Sequence, residues 1–376
     1  MRTFCTQGRV YPERHYVVAR TEELADFIRR VKDGKYVVLF APRQTGKTTF
    51  FRWALEALAA EDATYFPMHL NFEDYSNLVA PSAFYEGLSA DLRVEIEKVF
   101  QQRGRSPSVA LTQFLDAMRL TNQQAMRRFF SRLASFLTPQ RIVLIIDEFD
   151  GIPTTVVNSF LHALRAIYLS DNLSRCPYSV GIVGVKSISQ LNYDRAVSPF
   201  NIQDEFHLPN FTLAQVQELL GQYTAEVGQA FAPAVIENIH KQTAGQPVLV
   251  NRFGQLLTET VDMPRTETLG MEHFAVAHRQ LLRERNTHIQ HLTRNVRRDA
   301  RFEHVLMQIA SYDEGVDFNL DDDIISELAT YGVIVEDADG LCEIANPIYL
   351  YRILRTFKPT MNGLERDYYP EARDKG

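Results

Sequence analysis

The sequence predicts an α/β fold: a doubly wound parallel sheet, followed by stacked helices and a small winged helix-turn-helix. Three observations carry that expectation. Arg141 to Asp147 (RIVLIID) has five consecutive apolar residues and ends in acid, and near-continuous apolar runs belong to parallel strands covered by helices on both faces. Tyr36 to Leu58 (YVVLFAPRQTGKTTFFRWALEAL) passes from an apolar strand through Gly-Lys-Thr directly into a helical pattern, the strand-to-helix order that such a sheet requires. From Asn210 onward the pattern changes to helix upon helix.

Taken in order, Arg2 to Arg20 is irregular. Thr21 to Lys32 is an amphipathic helix with Thr21 as N-cap, Leu24, Phe27, Ile28 and Val31 on one face, and Gly34 as its stop. Tyr36 to Ala41 is a buried strand and Thr48 to Leu58 a helix. Tyr65 to Phe72 alternates like a strand that Pro67 weakens. Asp74 to Leu137 is mostly helical, with a surface loop at Gln101 to Ser108. After Arg141 to Asp147 come a helix (Val156 to Leu169) and a strand (Tyr178 to Val185) whose two glycines allow close backbone approach. Three strands with intervening helices make a doubly wound core of about 200 residues.

Beyond it, Thr212 with Gln215 forms a capping box. Further helices cover Pro233 to Thr243, Val248 to Val261 and Met271 to Glu284, and the segment Thr243 to Pro247 places proline at a helix start. Phe302 to Ala310 and Leu320 to Thr330 are helices, a hairpin turns at Asp337 to Gly340, and a final helix follows Pro347. That order predicts the winged helix-turn-helix. The expected division is 1–209 core with an N-terminal extension, 210–300 helical, 301–358 winged helix and 359–376 a loose tail.

Composition narrows the function classes. At 376 residues the chain exceeds one ordinary core. With 45% hydrophobic and 23% charged residues it reads as an ordinary globular protein. No apolar run is long enough to span a membrane, no secretory leader opens the chain, and the three cysteines have no metal or disulfide spacing. A cytoplasmic location is expected. The net charge of −7 argues against a protein that coats nucleic acid along its whole surface.

The chemistry concentrates in two motifs. In a phosphate-binding loop, backbone N–H groups of Thr45, Gly46, Lys47, Thr48 and Thr49 converge on an anion at a helix N-terminus, where the helix dipole favours it. Lys47 then reaches the β- and γ-phosphates, and the Thr48 hydroxyl ligates Mg²⁺. Ala41 stands where the first loop glycine belongs, ahead of Pro42, Arg43 and Gln44. If that position needed positive φ, alanine would cost about 1 kcal/mol. The second motif, IVLIIDEFD at Ile142 to Asp150, ends a strand in Asp147, to hold Mg²⁺, and Glu148, to polarise an attacking water. The motifs lie about 100 residues apart in the expected order, each at the C-terminal end of its strand, where open α/β sheets bind ligands.

Together the segments APRQTGKTT, LIIDEFDG, SPFNI (Ser198 to Ile202) and TAGQPVLVNRF resemble bacterial AAA-like ATPases related to the STAND class of signalling ATPases, over roughly Tyr16 to Phe357. The resemblance implies a P-loop ATPase core, an α-helical lid over 210–300 and a winged-helix unit, with ATP and Mg²⁺ gating a conformational switch. It further implies base-pocket contacts from Arg20 and Pro247 and a γ-phosphate sensor at Lys186 or Ser187. Arg195 is a candidate arginine finger, and turnover without a partner is expected to be slow.

What the switch acts on is read from charge. Tyr312 to Glu343 carries eleven acidic residues and no Lys or Arg, which disfavours DNA on that surface. Arg283 to Arg301 has six arginines against two acids. A helix paired with the acidic unit explains them, and a phosphate-contacting stripe is the rival. A protein partner or homo-oligomer is therefore expected, with a nucleic-acid-binding regulator or loader as the alternative.

Overall fold

The computed structural model describes residues 1–41, 45–170, 175–185, 203–260, 264–284, 300–311 and 315–356. They form two compact units, Arg20–Ala41 with Lys47–Leu208, and Met1–Ala19 with Pro42–Gly46 and Pro209–Gly376.

The first unit is built on a five-stranded sheet ordered β2-β3-β4-β1-β5 with every neighbouring pair parallel. Its strands are β1 (Tyr36–Phe40), β2 (Tyr65–Asn71), β3 (Arg141–Asp147), β4 (Ser179–Gly184) and β5 (Gln203–Glu205). Helices α1 (Thr21–Lys32) and α2 (Lys47–Glu61) accompany one face. Helices α3 (Pro81–Gln102), α4 (Val109–Asp116), α5 (Gln123–Leu137) and α6 (Thr154–Tyr168) cover the other. Alternation along the strands shows why the runs are apolar throughout. Ile142, Leu144 and Ile146 enter the core under α3 to α6, whereas Val143 and Ile145 enter the core under α1 and α2. Each buried side chain of this size contributes on the order of 2 kcal/mol.

Three details differ from the sequence expectation. The sheet has five strands where three were expected to make the core: β2, expected as a strand that Pro67 weakens, pairs over its whole length with β3 and tolerates the proline by lying at the edge. At the opposite edge, β5 is only Gln-Asp-Glu, with no hydrophobic signature; its place is set by pairing with β1. Thr21 is the first residue of α1, and the N-cap is Arg20, in a left-handed conformation with no side-chain cap. Glu22 and Glu23 in the first turn supply the negative charge that the helix start favours.

The second unit is helical around one core: α7 (Leu213–Val227), α8 (Pro233–Thr243), α9 (Pro247–Gln255), α10 (Met271–Arg283), α11 (Ala300–Ser311), α12 (Asp323–Thr330) and α13 (Pro347–Thr356), with an antiparallel hairpin of β6 (Ile334–Glu336) and β7 (Cys342–Ile344). Helix α9 runs on as a π-helical turn, Leu256–Thr260. The capping box of α7 forms as its sequence demands, with Thr212 Oγ1 accepting from Gln215 N at 3.2 Å and Gln215 Oε1 accepting from Thr212 N at 3.0 Å. Side chains of 210–284 and 300–356 share a single hydrophobic cluster.

The first nineteen residues pack in this helical unit, although the sequence grouped them with the sheet. The rings of Phe4 and Tyr16 pack against each other and against Tyr223, tilted or edge-on, at centroid distances of 4.9, 6.1 and 6.0 Å. Gln222 binds the backbone of Val17 in both directions, accepting from its N–H at 3.2 Å and donating to its carbonyl at 2.6 Å. Arg2 pairs with Glu226 at 3.0 Å.

Candidate functional site

The C-terminal ends of β1, β3 and β4 are joined by hydrogen bonds from three directions. Ala41 N donates to Gly184 O at 3.2 Å, tying the end of β1 to β4. Asp150 Oδ2 accepts from Val185 N at 2.7 Å, tying the turn after β3 to β4. Thr48 Oγ1, in the first turn of α2, donates to Asp147 Oδ2 at 2.7 Å, tying the helix after β1 to the end of β3. The two sequence motifs thus meet in space.

Each of these side chains is held for an identifiable reason. Lys47 is buried and its Nζ donates to Ala41 O at 2.5 Å, so the ammonium folds back across the mouth of its own loop. Positive φ occurs among the described non-glycine residues at Arg20, Glu148 and Ala244, so Ala41 carries no left-handed strain. That freedom belongs to Gly46, at φ +88°, where a Cβ would meet nothing within 4 Å. The loop therefore leaves space directly before the N-terminus of α2, as an anion cradle requires.

Asp147 is nearly fully buried. Burial raises its carboxyl, but nearby His69, the Thr48 hydroxyl and the Glu148 N–H, which donates to Oδ1 at 3.0 Å, outweigh that and hold it below its ordinary 3.8. The carboxylate is therefore ionised throughout the neutral range. Glu148 adopts a left-handed conformation, φ 49° and ψ 44°, a state that costs a side-chain-bearing residue about 1–2 kcal/mol. Strain of this kind concentrates at functional positions.

Donors and acceptors here fit a nucleotide with a magnesium ion. Thr48 Oγ1 and the Asp147 carboxylate are hard oxygen ligands side by side, the kind that Mg²⁺ takes one or two of while keeping water and phosphate oxygens. Lys47 offers a cation beside them, its Nζ donating to the Ala41 carbonyl.

The remaining expected residues are distributed as follows. Thr45 is buried and Thr49 half-buried in the first turn of α2. Arg20 is buried in the sheet unit and pairs with Glu23 at 3.5 Å. Pro247 is buried in the helical unit as the first residue of α9, after a left-handed Ala244 that ends α8, and its carbonyl accepts from Asn251 Nδ2 at 2.9 Å. Pro42, Arg43, Gln44, Lys186, Ser187, Arg195, Ser198 to Ile202, most of Arg283 to Arg301 and the tail after Pro359 lie outside the described residues.

Two residues escaped the sequence reading. Asp150 was visible in IVLIIDEFD but had no assigned task; it anchors the start of the turn to β4. His69, inside β2, gave no signal except its place two residues before the strand end; its Nε2 lies 3.7 Å from Asp147 Oδ2.

A parallel sheet of this order, with Gly-Lys-Thr after β1 and an acidic end to β3 on the far side of β4, is the fold of P-loop ATPases. Residues 6–352 match the family described as AAA-like domain, and the chain belongs to that family. The Walker-type ATPase of Pyrococcus abyssi is similar in structure, with a TM-score of 0.59 at 17% identity, over 94% of this chain and 99% of that one. A weaker likeness, TM-score 0.43 at 14% identity, over 90% of this chain and 94% of the other, is to the RuvB Holliday junction branch migration motor of Thermotoga maritima. An uncharacterised WD repeat-containing protein of Synechocystis is 22% identical over 253 residues, which is 66% of this chain. The match spans 20%, about a fifth, of that relative's own length. Among the described residues no helix is long and apolar enough to cross a membrane.

Proposed function

We propose that the chain is an ATP-binding, Mg²⁺-dependent ATPase of AAA-like, STAND-like type, a switch that couples nucleotide state to self-association or to a partner protein. The observation that carries this reading is the 2.7 Å hydrogen bond from Thr48 to Asp147, which brings the phosphate loop and the acidic strand end into one site. Lys47 exchanges its bond to Ala41 O for phosphate oxygens. Glu148 accepts the proton of the attacking water, and Asp147 orients the Thr48 hydroxyl and the Glu148 backbone. The metal, bound with the nucleotide, would neutralise charge developing on the γ-phosphate. Arg20 and Pro247 line the base, and Lys186 or Ser187 senses the γ-phosphate. In this reading 210–300 acts as the lid and 301–358 as the winged helix.

A protein partner is favoured over DNA by the charge of the C-terminal segment. Asp317, Asp321, Asp322, Asp323, Glu336, Asp339 and Glu343 are exposed, and no Lys or Arg lies between Tyr312 and Glu343. The rival reading, a nucleic-acid-binding regulator, rests on Arg283 to Arg301, and no described contact favours it.

Light-scattering mass measurement after size exclusion tests the switch. With a non-hydrolysable ATP analogue and Mg²⁺ the mass should at least double, or a partner should be retained by the Glu148→Gln protein in a pull-down. An unchanged monomer that also retains nothing overturns the switch. Salt-sensitive DNA binding lost on replacing the arginines of 283–301 would favour the rival.

A further inference from the structure

We propose that His69 is a positioning residue for the magnesium site, its Nε2–H serving as a second donor to the Asp147 carboxylate. The inference rests on the nucleotide–metal reading above and adds a residue that neither motif contains.

Three observations converge on it. His69 Nε2 is buried and has no hydrogen-bond partner among the described residues. A buried polar atom left so is costly and calls for an explanation. Its nearest carboxylate oxygen is Asp147 Oδ2 at 3.7 Å, beyond hydrogen-bond range but within it after a shift of about half an ångström. The strand carrying His69 is also fixed at that residue. Its backbone N–H donates at 3.0 Å to Glu95 Oε1, a buried carboxylate on α3 whose other oxygen accepts from Lys98 Nζ at 2.7 Å.

The acceptor has room for the added bond. Asp147 Oδ1 takes the Glu148 N–H and Oδ2 takes the Thr48 hydroxyl. A carboxylate oxygen has two lone pairs, so Oδ2 can receive His69 beside Thr48. The three donors then arrive from β2, from α2 and from the turn after β3, which fixes the rotation of the carboxylate. Residues that orient a metal's ligand typically change metal affinity by 10- to 100-fold when removed.

The test is a Mg²⁺ titration of fluorescent-ATP binding to the whole chain, compared in wild type, His69→Leu and His69→Gln. His69→Leu keeps bulk and removes the donor; His69→Gln restores an amide donor at similar reach. We expect His69→Leu to raise the half-saturating Mg²⁺ about tenfold while metal-free nucleotide affinity stays level, and His69→Gln to recover most of the loss. Should His69→Leu not fold, as its melting curve would tell, His69→Asn takes its place, with a shorter side chain that stops short of Asp147. Unchanged Mg²⁺ dependence in His69→Leu overturns the role. So does an equal fall of metal-free and metal-bound affinity, or a defect that glutamine leaves in full. Wild-type binding that ignores Mg²⁺ overturns the metal site itself, and the role of His69 with it.

Discussion

Carboxylates serve opposite purposes in the two units. In the sheet unit Asp147 is buried, takes hydrogen bonds on both oxygens and titrates below its ordinary range. In the helical unit Asp321, Asp323, Glu336 and Asp339 stand exposed, with no ion pair among the described residues. Removing a charge from water is costly unless partners replace the water, so a carboxylate at Asp147's depth persists only when the surrounding structure and its function require it. An exposed acid costs almost nothing and for that reason says little about chemistry, although many together repel a polyanion. The lesson is one of weight: one buried acid carries more functional information than the whole acidic surface.

The comparison can be broken from either side. The largest effect is expected at Lys47→Ala, which removes the buried cation of the phosphate loop. ATP affinity measured by titration calorimetry should fall at least about 100-fold, equal to roughly 2.7 kcal/mol, whereas Asp321→Asn should leave it unchanged. Next is Gly151→Ala, in the turn after β3. An added Cβ would stand 1.9 Å from Phe72 O, a backbone atom that cannot swing aside. A loss of about 3 kcal/mol or more in urea unfolding of the sheet unit is expected.

Within the helical unit the acids themselves should separate. Asp322 caps α12, accepting from Ile324 N at 2.8 Å and Ile325 N at 3.0 Å. Asp322→Ala should therefore cost about 1 kcal/mol, and Asp321→Asn less than about 0.5 kcal/mol. Equal effects would mean that the acidic surface acts as one body rather than through a single cap.

The smallest effect is at Glu226. Hydrogen bonds from the Arg2 backbone and side chain hold its carboxyl below the ordinary 4.5. A depressed folded value means that this contribution to stability is complete above pH 4.5 and is lost as pH falls through the folded value. Arg2→Ala should move the Glu226 titration, followed by NMR, back up toward 4.5.

Much of this contrast was readable in the chain itself, because the sheet unit's signals are local. Apolar runs gave β1, β3 and β4, and the loop residues Lys47 and Thr48 follow β1 within a few positions. What escaped depends on contacts distant in sequence. β5 has no apolar residue to announce it, and Phe4 and Tyr16 find Tyr223 across more than half the chain. His69 reads as an ordinary member of an alternating strand until β2 is paired with β3. Ala41 is the converse case. Alanine in place of the loop glycine is strained only at positive φ, and the backbone there does not adopt it.

The central claim is that the phosphate loop and the end of β3 form one Mg²⁺-dependent hydrolytic site. Phosphate release from ATP, measured for wild type and Glu148→Gln with and without Mg²⁺, tests it most directly. Wild-type protein should release phosphate only with Mg²⁺, and Glu148→Gln should bind ATP with similar affinity while turning it over about 10²- to 10⁴-fold more slowly. Equal turnover by the two proteins, or release that is indifferent to Mg²⁺, would contradict the claim.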